Sequence, residues 1–237
     1  MPRLKGLIRT TTSLLKPVWT RCNEFALGIE TEPVVQNGRA GITARSWWKG
    51  EVISGASHDD NFHYATIDYW NVRRALQALE PGPADVFYDI GCGMGRILCV
   101  AARMRLRRCV GVDISGVLCA VARRNAAKLR GRKTPIEIVC GDATTADLSD
   151  GTIYFMFNPF GAETMRDTLQ NIRDSLTANR RSIRLLYYNS EFQSVLESAS
   201  WLEKRSEFKS FGGQQITLWE SQHPEEAPAV SCLTAAN

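Results

Sequence analysis

Short apolar runs alternate with longer amphipathic stretches through the middle of this 237-residue chain. Each run is bounded by polar or turn-forming residues, which is typical of strands that are buried on both faces. The runs predict strands at 86–90, 108–113, 135–140, 152–157 and 183–188. The stretches between and after them predict helices at about 94–104, 115–130, 162–178 and 191–199. A further strand pair, near 203–209 and 215–220, flanks Gly212-Gly213, which is a hairpin-type turn.

This alternation predicts an α/β fold with a doubly wound, mostly parallel sheet of seven strands. Helices are expected on both faces of the sheet, and the final hairpin makes one edge antiparallel. Upstream, a helix is expected to begin near Thr66 as its N-cap and to end before Pro81-Gly82-Pro83. The patterning divides the chain into four parts: a basic amphipathic segment (1–23), a loop-rich cap (24–66), the α/β domain (67–221) and a flexible tail (222–237).

The positive charge of the chain is concentrated at its N-terminus. The formal net charge is +4, yet residues 1–23 contain five bases and no acid, which leaves 24 bases against 25 acids elsewhere. This distribution argues against a nucleic-acid-binding body. Apolar residues from Leu4 to Trp19 fall near one helical face. Residues 1–21 are therefore expected to contact an anionic membrane surface, to serve as a targeting peptide, or to dock on their own domain.

The composition, 44% hydrophobic and 23% charged, is that of an ordinary globular chain. None of the cysteines forms a Cys-x-x-Cys pair, so no metal site is expected. Cys99, Cys109, Cys119 and Cys140 lie in apolar runs, and we expect them to be buried thiols of a cytoplasmic protein.

The stretch from Val86 to Leu98 carries the most specific signal. Its strand ends in Asp89-Ile90, and glycines follow at positions 91, 93 and 95 before a helical pattern begins. Glycines at such a turn let a nucleotide-like ligand lie against bare backbone. The third glycine comes one residue earlier than in the dinucleotide fingerprint Gly-x-Gly-x-x-Gly, because position 96 is Arg.

Three further strand ends carry residues suited to ligand binding at the carboxyl edge of an open sheet. Asp113 closes the second strand and can accept both hydroxyls of a ribose, with Ile114 beside it to cover an aromatic base. After the third strand, Asp142 can accept from an exocyclic amine, and Ala143 follows it. Asn158-Pro159-Phe160 closes the fourth strand.

Asp89-x-Gly91-x-Gly93-x-Gly95, with Asp113 and Asp142 in register, resembles the cofactor site of class I, Rossmann-like S-adenosylmethionine-dependent methyltransferases. The chain is most similar to small bacterial methyltransferase-domain proteins whose glycine loop ends in Gly-Arg and whose fourth strand ends in Asn-Pro-Phe. The resemblance covers roughly residues 60–190. It implies S-adenosylmethionine as cofactor, S-adenosylhomocysteine as product and no metal, with the ribose at Asp113 and the adenine at Asp142.

The resemblance also implies a wider set of cofactor contacts. In such relatives a Tyr-x-Pro-Thr-like element closes the methionine end of the cofactor, and His63-Tyr64-Ala65-Thr66 matches it here, with Ala in place of Pro. The cofactor-binding residues implied are Tyr64, Thr66, Asp89, Gly91, Cys92, Gly93, Gly95, Asp113, Ile114, Asp142, Ala143 and Asn158.

The acceptor side is predicted at Asn158, Phe160, Tyr188 and His63. Asn158-Pro159-Phe160 is similar to the Asn/Asp-Pro-Pro-Tyr/Phe element of amino-group methyltransferases, in which the Asn oxygen accepts from the target amine, but one proline is missing. Asn158 is therefore a catalytic candidate, and the alternative is that it caps the strand end while Phe160 packs.

The expected activity is methyl transfer by in-line displacement to an O or N acceptor on a small molecule or a protein. The alternatives are a protein-lysine or amine methyltransferase, and a non-catalytic S-adenosylmethionine-binding partner.

Overall fold

The structure, a computed structural model, describes residues 18–31, 60 and 65–222. Its centre is a seven-stranded sheet in the order β3-β2-β1-β4-β5-β7-β6. The strands are β1 (Val86–Ile90), β2 (Arg108–Asp113), β3 (Ile136–Cys140), β4 (Ile153–Phe157), β5 (Arg184–Tyr188), β6 (Leu202–Lys209) and β7 (Gln215–Ser221). Strands β1 to β5 pair in parallel, whereas β7 runs antiparallel to both β5 and β6. The predicted α/β, mostly parallel sheet with an antiparallel edge hairpin is confirmed.

Helices flank the strands along the described part of the chain. They are α1 (18–27), α2 (Tyr69–Ala78), α3 (Arg96–Ala101), α4 (Gly116–Lys128), α5 (Ala162–Ala178) and α6 (Gln193–Glu197). Helix α5 has the predicted bounds, whereas α3 is shorter than predicted because Gly95, with φ +81°, stands outside it as a left-handed cap. Within the described residues, no helix is both long enough and apolar enough to cross a membrane.

The central strands are buried on both faces, as short uninterrupted apolar runs require. Every residue of β1 is buried. On one face the rings of Phe87 and Phe155 lie 6.4 Å apart, and on the other Tyr88 stacks on Tyr154 at 5.6 Å. The carboxyl ends of β1 and β4 therefore stand on a core that is packed from both sides.

Two local predictions are wrong. Asp68, not Thr66, is the N-cap of α2, because its carboxylate accepts the backbone N–H of Asn71 at 3.0 Å. Cys140 is exposed rather than buried, because it ends β3, which lies at the edge of the sheet.

Helix α1 runs across residues 23 and 24. Leu27 at its end and Ile29 just after it are buried in the same core cluster as residues of α2 and α3. Residues 1–17, most of the cap at 32–59 and 61–64, and the tail at 223–237 lie outside the described residues.

A substitution at Gly111 in β2 tests how tightly the core packs against the loop after β1. A β-carbon there would lie 2.8 Å from Sγ of Cys92 and 2.9 Å from Cδ2 of Leu98. We expect Gly111→Ala to lower the free energy of unfolding by about 1–3 kcal/mol through overpacking, measured by urea denaturation. Gly141→Ala is the matched control, because its β-carbon would meet nothing within 4 Å. An equal loss in both variants would contradict this packing.

Candidate functional site

The loop from Gly91 to Gly95 turns sharply between β1 and α3. Gly91, Gly93 and Gly95 have φ values of +74°, +54° and +81°, a region that favours glycine. At Gly91 space is also limiting, because a β-carbon would lie 2.3 Å from Cβ of Pro159. The loop thus lies directly against the Asn158-Pro159-Phe160 turn, so these two predicted parts of the site are adjacent.

Asp113 joins the glycine loop to the start of α4. One carboxylate oxygen accepts the backbone N–H of Gly93 at 2.8 Å, and the other accepts that of Ser115 at 2.9 Å. Two backbone donors fix the orientation of the carboxylate, and each carboxylate oxygen has a second lone pair. Asp113 is half-buried at the end of β2, where these two donors hold its carboxylate.

Asp89 is the most unusual group in the site. Its side chain is 1% exposed, and its Oδ2 atom has no hydrogen-bond partner among the residues that the structure describes. Burial raises its pKa to about 8, the charge of Asp113 adds to the rise, and the backbone N–H of Leu98 opposes it. A buried acid with an unsatisfied oxygen is a costly arrangement unless a donor or a cation meets it.

The remaining predicted cofactor residues lie at neighbouring strand ends. Asp142 is half-buried and accepts the backbone N–H of Thr144 at 2.8 Å, and the carbonyl of the buried Ala143 accepts from Asn171 at 3.0 Å. Ile114 is half-buried next to Asp113. The side chain of Cys92, within the loop, is buried, and burial raises the pKa of its thiol, which therefore stays protonated.

Asn158 has a partner that sequence patterning did not assign. It adopts a left-handed backbone with φ +39°, and its Oδ1 accepts the hydroxyl of Tyr187 at 2.5 Å. That hydroxyl also accepts the backbone N–H of Phe192 at 3.2 Å, and burial raises the pKa of Tyr187 to about 12. The tyrosine thus remains a donor that fixes the Asn158 amide at the end of β4.

Two of the other predicted acceptor-side residues, Phe160 and Tyr188, have buried side chains. Phe160 is 4% exposed and packs in the core. Tyr188 is fully buried, stacks edge-on against Phe157 and donates to Gln214, so Tyr187 rather than Tyr188 reaches Asn158. Thr66 is half-buried ahead of α2, while His63 and Tyr64 lie outside the described residues.

One residue of the predicted cap attaches beside the Asn158-Pro159-Phe160 turn. The backbone N–H of Gly161 donates to the carbonyl of Asp60 at 2.7 Å, and the hydroxyl of Thr164 donates to the Asp60 carboxylate. A β-carbon on Gly161 would lie 2.6 Å from that carboxylate. The cap therefore meets the domain directly after the turn that carries Asn158.

Arg96 supports the glycine loop from behind, a role that sequence patterning missed. It is 4% exposed, its Nε donates to the hydroxyl of Thr31 at 2.7 Å, and its Nη1 donates to the carbonyl of Ile67 at 2.9 Å. Its Nη2 lies 3.4 Å from the Glu24 carboxylate, and its guanidinium lies 4.8 Å from the centre of the Tyr69 ring. The signal in the sequence is a charged residue where the first turn of a buried helix should be apolar.

Asn125 makes a second connection between the loop and the N-terminal residues. Its amide nitrogen donates to the carbonyls of Met94, at 2.9 Å, and of Glu30, at 2.8 Å, while its oxygen accepts the N–H of Glu30 at 3.0 Å. Arg96 and Asn125 together attach residues 24–31 to the back of the glycine loop. We refer to these two side chains and their partners as the loop clamp.

Similarities to known proteins agree with this geometry. Residues 87–179 match the family model of a methyltransferase domain. A protein-lysine N-methyltransferase of Saccharolobus islandicus is 36% identical over 87 residues, which are 36% of this chain and 53% of that protein. A probable ribosomal RNA small subunit methyltransferase A of Methanosarcina barkeri is 25% identical over 154 residues, 65% of this chain and 49% of that protein. The chain spans about half the length of these curated relatives.

A solved structure extends the likeness to the fold. The RNA methyltransferase from Salinibacter ruber, in complex with S-adenosyl-L-homocysteine, superposes with a TM-score of 0.51 at 24% identity. The match covers 70% of this chain and 97% of that one. This chain therefore has the Rossmann-like fold of these methyltransferases.

The loop clamp makes a prediction about the glycine loop. Asn125→Ala leaves the Met94 carbonyl and both Glu30 backbone groups without this partner, so we expect the free energy of unfolding to fall by about 1–3 kcal/mol. Amide exchange should also become faster in residues 91–95 and in 28–31. Asn171→Ala is the control, because Asn171 likewise donates to two carbonyls, those of Ala143 and Ala146. The clamp is refuted if exchange in 91–95 rises equally in both variants.

Proposed function

We propose that this protein is a methyltransferase that uses S-adenosylmethionine and transfers its methyl group to an oxygen or nitrogen acceptor. The observation that carries the proposal is the buried side chain of Asp89, whose Oδ2 atom has no hydrogen-bond partner among the described residues, beside a glycine loop, with Asp113 and Asp142 at the next two strand ends. S-adenosylmethionine supplies an electrophilic methyl group on a sulfonium when it is bound. The match of residues 87–179 to a methyltransferase domain supports the same conclusion.

The charges of the site suit this cofactor better than a dinucleotide. An anionic pyrophosphate would be repelled by Asp113 and would offer no donor to Asp89, whereas the ammonium group of S-adenosylmethionine offers the donors that the Asp89 Oδ2 atom lacks among the described residues. Asp113, already oriented by Gly93 and Ser115, would accept the ribose hydroxyls. Asp142, held by Thr144, would accept from the adenine amine, with Ile114 and Ala143 against the ring.

Asn158 would act on the acceptor side by positioning. The Tyr187 hydroxyl uses one lone pair of Oδ1, so the second lone pair and the amide N–H groups of Asn158 are the atoms that could orient an acceptor. Alignment of acceptor, methyl group and sulfonium supplies much of the acceleration in such a displacement, and a base is needed only for an acceptor that must lose its proton early. We therefore assign Asn158 and Tyr187 to orientation rather than to proton transfer.

A protein-lysine acceptor is the second candidate, and one finding favours it. The relative that is 36% identical over 87 residues is a protein-lysine N-methyltransferase. Incubation with methyl-labelled S-adenosylmethionine and either a protein fraction or a small-molecule fraction of a cell extract separates the candidates. Labelled methyl-lysine in protein hydrolysates would favour lysine, and label confined to small molecules would exclude it.

Asp113 provides the first test of the cofactor assignment. S-adenosylhomocysteine at about 100 times its dissociation constant should stabilise the native chain by about 2.7 kcal/mol, seen as a raised melting temperature. Asp113→Ala should weaken binding at least tenfold by calorimetry, because charge-assisted hydrogen bonds to the ribose are lost. Asp150→Ala is the control, since it removes an acid paired with Arg108 outside the site. Absence of any thermal shift in the unchanged protein would rule out the cofactor.

Asp89 predicts a pH dependence of binding. Only the ionised form of Asp89 can pair with the ammonium group of the ligand, so the affinity for S-adenosylhomocysteine should rise up to roughly tenfold per pH unit between pH 6.5 and 7.5 and level off near pH 8. The stability of the free protein should change in the opposite sense. The pKa of Asp89 is near 4 in the unfolded chain and is raised to about 8 in the folded protein. Protonated Asp89 therefore stabilises the folded state fully at pH values below about 4, and this contribution is lost as pH rises through 8. Asp89→Asn should flatten both profiles, and an unchanged profile would remove Asp89 from the site.

A further inference from the structure

Helix α1 turns its apolar side away from the protein. Val18 is 59% exposed, Trp19 is 52% exposed and Phe25 is 78% exposed, and Cys22 and Ala26 are also exposed. At 100° per residue these five side chains cover an arc of about 120° on one side of the helix. We call this arc the outer face of α1, and Arg21 borders it.

The inner face of α1 is mainly polar, and it is the side that packs on the domain. Thr20, Asn23 and Glu24 are buried there with Leu27. Asn23 accepts from Arg73 at 3.0 Å, and Glu24 lies 3.4 Å from Arg96 in the loop clamp. This orientation is the reverse of the usual surface helix, whose apolar stripe faces the core.

The contacts of the inner face also explain why α1 does not rotate about its axis to bury its apolar side. Rotation would take the Glu24 carboxylate from the buried Arg96 guanidinium, and an uncompensated buried charge is strongly destabilising. The outer face is therefore presented in a fixed orientation. Exposed aromatic and aliphatic side chains gathered on one helix face indicate a surface that binds something apolar.

The charges around the outer face favour an anionic lipid surface. Residues 1–23, which include the first six residues of α1, contain five bases and no acid in the sequence. Arg21 borders the outer face, and the guanidinium of Arg130 lies 5.6 Å from the centre of the Phe25 ring. Apolar and aromatic residues on one face with arginine and lysine nearby are typical of helices that lie in the plane of a membrane interface.

We propose that the outer face of α1 docks the protein on the surface of an anionic bilayer. Trp19, Phe25 and Val18 enter the boundary between headgroups and acyl chains, and Arg21 and Arg130 pair with lipid phosphates. The contact is peripheral and lies in the plane of the membrane. It is independent of the proposed methyl transfer.

The experiment is flotation of the full-length chain with vesicles of phosphatidylcholine, with and without phosphatidylglycerol. We expect binding to the anionic vesicles, and at least tenfold weaker partitioning both for neutral vesicles and for the double variant Trp19→Ser, Phe25→Ser. The matched control is Trp70→Ser, Phe211→Ser, which removes two aromatic side chains that are 54% and 71% exposed elsewhere on the surface. This control should float like the unchanged protein.

Binding of S-adenosylhomocysteine separates loss of docking from loss of folding. The Trp19, Phe25 variant should keep the thermal shift of the unchanged protein, because neither side chain belongs to the cofactor site. Equal flotation of this variant and the unchanged protein would overturn the proposal, and so would failure of the unchanged protein to bind anionic vesicles. A concentration-dependent dimer that the Trp19, Phe25 variant abolishes, without vesicle binding, would show instead that a second copy covers the outer face.

Discussion

The buried guanidinium of Arg96 is the interaction on which the rest of this structure depends. It stands at the first position of α3, directly after the glycine loop, and it is satisfied by groups from two separate segments: Glu24 and Thr31 in one, and Ile67 and the Tyr69 ring in the other. Taking a charge out of water costs several kcal/mol unless good geometry and further hydrogen bonds offset it. Residues 24–31 and the start of α2 must therefore be in place before the loop after β1 can adopt this form at low cost.

That requirement links features of the chain that look independent in the sequence. The third glycine comes early, which frees position 96 for Arg, and Arg needs a buried acid, which Glu24 supplies from α1. Because Glu24 must face inward, Thr20 and Asn23 face inward with it, and the apolar residues of the same helix face outward. The unusual orientation of α1 is thus a consequence of how the glycine loop is supported.

Sequence reasoning succeeded where one local pattern fixes the outcome. Five-residue apolar runs such as Val86–Ile90 predict strands buried on both faces, and the strands and the parallel pairing were found as expected. The glycine loop, Asp113 and Asp142 were located because strand ends of a parallel sheet meet at one edge.

The N-cap of α2 was misplaced by two residues, since Thr66 and Asp68 are both good caps and only three-dimensional geometry selects the one that reaches Asn71. The hydrogen bonds of Arg96 to Ile67 and Glu24, and the hydrogen bond of Tyr187 to Asn158, join residues that are 29 to 72 positions apart in the sequence. No local pattern encodes such contacts.

Asp89 in β1 and Arg96 at the start of α3 are buried ionisable groups of opposite type that stand on either side of the glycine loop. Arg96 has partners on every side and holds the loop in shape, whereas Asp89, seven residues earlier, retains an oxygen with no partner among the described residues. The two groups are not paired with each other, so the protein does not use the available cation to neutralise its buried acid. An acid whose pKa is raised to about 8 weakens the free protein at neutral pH and above, and such a cost is typical of positions that serve a ligand rather than the fold. Because Thr31, Ile67 and Glu24 hold the guanidinium of Arg96, Asp89 keeps, among the described residues, the unpartnered oxygen that our proposal assigns to the ammonium group of the cofactor.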